Sequence, residues 1–173
     1  MAREGIRLTA RASILREGIL GGLLGAASVA AWFLLVDIAR GTPFLVPDAL
    51  GHILFHMGGG GVAEGAFAHV LAYTAFHVAA FVAVGVFAAA VLRRSERQPS
   101  LLAGALLLFV VFECGFFLLT LLMMQSHRLG MPAWYLVASG NLLAAGVMGV
   151  YLSRKYPALG ARVDAALSGR DGM

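Results

Sequence analysis

Four stretches of this sequence stay apolar for the width of a bilayer, and that fact constrains the fold more than any other. A helix rising 1.5 Å per residue needs about 20 residues to cross the hydrocarbon layer. Segments near 18–36, 66–92, 101–124 and 133–152 meet that requirement. Composition leaves no soluble alternative. Of the 173 residues, 60% are hydrophobic and 13% charged, where a soluble domain carries about 25% charged residues. A chain this short cannot bury so much apolar surface against itself, so the excess faces lipid. The expected fold is an all-α integral membrane protein, a four-transmembrane-helix bundle over residues 1–173, with no internal repeat and no linker between domains.

The basic residues orient the bundle. Arg3, Arg7, Arg11 and Arg16 precede the first segment. Arg93, Arg94 and Arg97 lie between the second and third, and Arg154, Lys155, Arg162 and Arg170 follow the fourth. Only Arg40 and Arg128 fall on the other side. Cytoplasmic loops collect Lys and Arg, so both termini are expected inside (N-in/C-in). Trp32 and Trp134 then fall at the outer interface, where amphipathic rings settle. "SVAA" at 28–31 has the small residues of a signal-peptide cleavage site. The apolar run continues through "WFLLV", however, so an uncleaved helix is expected. The net charge of +4 therefore reports topology, and no nucleic-acid partner is expected. Arginine outnumbers lysine twelve to one, a bias typical of a GC-rich genome, and the expected location is a bacterial cytoplasmic (inner) membrane.

The connections set the packing. Short links, "RRSERQPS" and "QSHRLGMP", join the second, third and fourth segments and make sequential neighbours antiparallel. Pro99 and Pro132 stand where the following helix starts, a position proline tolerates. The outer loop, 37–65, is longer. Within it "PDALGHILFHM" reads as a short extracytoplasmic interfacial helix, ended by the glycines at 58–61. Residues before Gly18, and the cytoplasmic tail 153–173, are expected to lie on the inner leaflet or to be solvated.

Within the third segment, 105–124 reads "ALLLFVVFECGFFLLTLLMM". A charge at the bilayer centre costs about 2.5–3.5 kcal/mol on insertion scales, and such groups turn inward and find partners. By helical rise Glu113 lies about 16 Å from the outer face, His77 of the second segment about 16 Å, and Asn141 of the fourth about 12 Å. Tyr73 is one turn outward of His77, and Ser139 is near Asn141. A buried cluster of His77, Glu113 and Asn141, with Tyr73 and Ser139 beside it, is the expected site. It either fixes helix register or handles a proton or cation.

The remaining features weigh less. Asp48, His52 and His56 are spaced four apart on the short helix, so they share a face and could reach one divalent metal, with Glu64, His69 or His127 as a further ligand. The competing role is the wet face of an interfacial helix. His69, Tyr73, His77, Phe81 and Gly85 form a stripe down the second segment, which raises b-type haem. A second axial histidine on a facing helix could come only from His127, and no cofactor is expected. Gly21, Gly25 and Ser28 in the first segment, and Asn141, Ala145 and Gly149 in the fourth, are small-residue faces suited to close helix approach. They mark either contacts within the bundle or a seam to a protein partner or second copy. Cys114 is alone and reads as a small buried hydrophobe. No nucleophile turn, paired carboxylate or phosphate loop appears, so the expected function is non-enzymatic: an accessory, assembly or structural membrane subunit. The alternative is a small proton- or cation-coupled carrier or channel subunit using His77 and Glu113. A periplasm-facing metal or haem protein is the third.

Overall fold

The computed structural model of the chain describes residues 2–57, 65–95 and 134–156, with side chains from Ala12 onward except at 53, 55–57 and 134. These residues are 93% helical and contain no strand. Four helices are described: α1 (Ala2–Ala39), α2 (Leu45–Met57), α3 (Ala66–Ser95) and α4 (Trp134–Lys155). Three have stretches long and apolar enough to cross a membrane: Ala12–Ala39, Ala66–Ser95 and Tyr135–Lys155. They coincide with the first, second and fourth apolar segments. The third, 101–124, lies outside the described residues.

The N-terminal residues were expected to form a separate surface element or a solvated tail; instead they extend α1. Nothing in the sequence stops the helix before Pro43, the first proline. At 38 residues α1 is about 57 Å long, well beyond the hydrocarbon layer. The short helix begins at Leu45, two residues before the proline expected to open it, and ends at Met57 as expected.

α1 is the hub, with α3 and α4 both antiparallel to it. Gly18 lies against Val86, Gly22 against Val82 and Phe81, and Gly85 of α3 against Gly18 and Gly22 in return. A Cβ at any of these three glycines would stand closer to backbone than real Cβ atoms come. The missing side chains therefore let two helix backbones touch, the usual device where no hydrophobic force drives helices together in lipid. On the next face, Gly21 meets Tyr151 and Leu152 of α4, and Gly25 meets Met148. The Gly21/Gly25 face is thus occupied within the chain. No described residue comes within 4 Å of a Cβ built at Gly149, and Ala145 is exposed.

Elsewhere the helices turn large apolar side chains outward. Leu35, Phe67, Leu71 and Leu142 are each more than half exposed, as expected of surfaces solvated by acyl chains. The small buried core holds Ala89, Leu152 and Tyr156 at one end, with Ala26, Val29, Ala144 and Met148 further along.

Candidate functional site

Polar groups tie α1 to its neighbours at three levels. At the end where α3 and α4 finish, Tyr156 donates its hydroxyl to Glu17 Oε2 at 2.5 Å. Ser13 donates to the other carboxylate oxygen at 2.9 Å. Arg93 of α3 lies close enough to act on the same phenol. Burial, then the hydrogen bond and charge of Glu17, push the Tyr156 phenol up to about 12, against a smaller opposing pull from Arg93. Midway, His77 Nε2 donates to the Ala26 carbonyl at 3.2 Å. That carbonyl has a second lone pair to spare beyond its helical bond. Toward the far end, the Trp32 indole N–H donates to the Leu136 carbonyl of α4 at 2.9 Å. Gly140 leaves room for that ring: a Cβ there would lie 3.1 Å from Trp32 Cδ1. Trp32 was expected to address the membrane interface, but its donor is spent on α4.

The histidine stripe of α3 faces α1 from His77 through Phe81 to Gly85, and α2 at His69. The rings of Tyr73 and His77 lie 5.7 Å apart, and those of His77 and Phe81 4.7 Å. Of the expected polar cluster, Tyr73 and His77 are adjacent and half-buried. Asn141 is half-buried and partnered. Ser139 is exposed, and its hydroxyl turns back to the Tyr135 carbonyl of its own helix at 2.6 Å. Glu113 lies outside the described residues.

α2 sits across the N-terminal end of α3. Gly51 lies on the backbone of His69 so closely that no Cβ fits. One turn earlier Asp48 Oδ1 accepts from His69 Nδ1 at 2.9 Å. The His52 ring stands edge-on to His69 with centroids 5.2 Å apart. Of the metal-ligand candidates Asp48, His52 and His56, the first two therefore converge on His69. Among the described residues no three His, Cys, Asp or Glu side chains are grouped to hold a metal ion. The His56 side chain, Glu64 and His127 fall outside them.

Sequence reasoning missed Asp37. This carboxylate closes the last turn of α1 and is fully buried, 0% exposed. Its Oδ2 accepts the Val46 N–H at 3.0 Å in the first turn of α2. The other donors of that turn are also accounted for. Leu45 N–H donates to the Thr42 carbonyl, Pro47 has none, and Asp48 N–H donates to the Phe44 carbonyl. Phe44 reaches its place at φ 68°, a strained conformation for a bulky residue that persists only where its surroundings hold it. The α2 N-terminus carries partial positive charge, which favours a carboxylate there. Yet Asp37 Oδ1 has no hydrogen-bond partner among the described residues, a deficit worth about 1–3 kcal/mol and more for a charged group.

Asp37 lines a cavity of about 220 Å³ beneath α2. Val29, Phe33 and Leu34 of α1, Phe44, Val46 and Pro47 at the entry to α2, and Val70, Tyr73, Thr74 and His77 of α3 form most of the rest. The cavity is elongated. His77 is level with Ala26, and Asp37 is about 16 Å further along α1. The only signals for Asp37 in the sequence are an acid ending an apolar run and a "GTP" turn that brings a new helix back over it.

Fold and site together define an all-helical protein with three helices able to span a membrane. No protein-family model, curated protein or solved structure matches the chain.

Proposed function

We propose that the chain is a non-enzymatic, four-span subunit of a bacterial cytoplasmic membrane, acting as an accessory or assembly scaffold with both termini in the cytoplasm. Two features support four crossings. α3 ends beside Tyr156, where Ala89 and Leu92 pack with it, whereas α4 begins at the opposite end of the bundle. The connection between Ser95 and Trp134 must return along the whole length, and the apolar segment 101–124 is long enough to do so. Arg16, Arg93, Arg94, Arg154 and Lys155 gather at one end of the helices and Arg40 at the other, the asymmetry that marks a cytoplasmic face.

The scaffold role rests on one observation: Glu17, His77 and Trp32 of α1 and α3 each place a polar atom in a bond to another helix or its end. Polar groups used this way fix register and partner. Single-cysteine variants in a Cys114→Ala background test the topology. A cysteine replacing Arg16 or Lys155 reacts with a membrane-impermeant maleimide only after the inner face is opened, and one replacing Arg40 reacts in intact cells. Labelling of position 155 in intact cells defeats the proposal.

A second reading, a small proton- or cation-coupled carrier, keeps its place because His77 and Tyr73 line the cavity. Its other half is Glu113.

A further inference from the structure

We infer that the cavity beneath α2 binds a small lipophilic ammonium cation, with its N–H groups on Asp37 Oδ1 and its apolar body against Val29, Phe33 and Val70. The inference stands apart from the scaffold role. Three properties of the site select this chemistry.

The first is the unmet demand of Asp37. A fully buried carboxylate oxygen lacks a donor, while its twin is held by the Val46 N–H and cannot turn away. The missing group must donate and need not accept, which describes an ammonium. The second is the wall. Among the described lining residues Asp37 is the one acid, and apart from Thr74, His77 and the Tyr73 hydroxyl the rest are aliphatic or aromatic. A metal ion needs several ligands, and no such group exists among the described residues. Phe33, Phe44 and Tyr73 line the cavity, and aromatic rings attract organic cations. The third is size. At about 220 Å³ the cavity exceeds the ~150 Å³ that admits benzene in an engineered core, so it takes one ring or a short alkyl chain with its ammonium head.

The same head group has two sources: a free amine, or the ethanolamine of a phospholipid. Leu34 and Ala31 line the cavity and are themselves exposed, so an acyl chain can leave along them. The experiment separates the sources. The full-length protein, reconstituted in phosphatidylcholine nanodiscs, is titrated with benzylamine and with benzyl alcohol at neutral pH, followed by thermal unfolding and calorimetry. Benzylamine raises the melting temperature saturably and the alcohol does not. Asp37→Asn keeps an acceptor for Val46 and weakens benzylamine binding about tenfold or more. Ala30→Leu adds bulk to the cavity wall without changing Asp37 and also weakens binding, so it decides the matter if Asp37→Asn fails to fold. In phosphatidylethanolamine nanodiscs, a lipid source appears as a weakened benzylamine response, and a soluble source as an unchanged one. The inference is overturned if benzylamine has no effect, acts no differently from the alcohol, or binds Ala30→Leu as well as the native chain.

Discussion

The Tyr156 hydroxyl and the Glu17 carboxylate, 139 residues apart in the chain, meet in a hydrogen bond that fastens the end of α4 to the start of the apolar part of α1. A bond between residues so distant in the chain, from the middle of α1 to the residue after α4, closes a long loop, so its loss is felt by the whole bundle. Tyr156→Phe keeps the ring in its buried place and removes only the donor. It should cost about 1.5–3 kcal/mol, the range for hydrogen bonds to charged groups, read as a lower midpoint in denaturant titration of the detergent-solubilised protein.

The same pair sets a response to alkali. The Tyr156 phenol, ordinarily near 10, is held up to about 12 by burial and by Glu17. Its proton is kept by the folded chain and lost by the unfolded one between those values. This contribution to stability is therefore full below pH 10 and disappears as pH rises toward 12. The native protein should lose stability across that window, and Tyr156→Phe should lose less. Parallel pH profiles for the two proteins contradict the assignment.

Glycines that touch backbone and glycines that do not should separate cleanly. Gly22→Ala and Gly85→Ala force α1 and α3 apart and should cost about 1–3 kcal/mol, the range for overpacking. Gly21→Ala meets only ordinary contact at 3.5 Å and should be nearly neutral. Thermal melts of the three variants in one detergent decide it. Equal losses at Gly21 and Gly22 would falsify the close contact between α1 and α3.

Gly51→Ala should lift α2 from His69 and break the Asp48–His69 bond. Hydrogen exchange should then quicken at the α2 amides, including the Val46 N–H held by Asp37, while α4 amides keep their protection. Unchanged exchange in α2 contradicts the docking.

Hydropathy made the helices at 12–39, 66–95 and 135–155 legible, because the cost of leaving apolar residues in water depends little on what they pack against. The short outer helix was legible from its proline and the glycine run after it. Positions were harder. Gly18 and Gly22 lie within the same glycine-rich stretch as Gly21 and Gly25, and choosing the pair that meets α3 needs the rotation of α1, which sequence does not carry. His77 was recognised as a group needing a partner; one of its ring nitrogens bonds the Ala26 carbonyl, and a backbone acceptor leaves no mark in the sequence. Tyr156 fell within the expected tail, 153–173, and Asp37 was the first residue of the expected loop. Tyr156 is buried because it meets Glu17 of α1, and Asp37 because the first turn of α2 folds back over it.

The scaffold role and the carrier alternative part most directly over proton movement through the purified protein. The measurement is the decay of an imposed pH gradient in liposomes containing the native chain or Glu113→Gln. A scaffold predicts decay at the rate of protein-free vesicles for the native chain, with loss of folded protein as the main consequence of Glu113→Gln. Faster decay with the native chain, abolished by a Glu113→Gln protein that still folds and inserts, would contradict it.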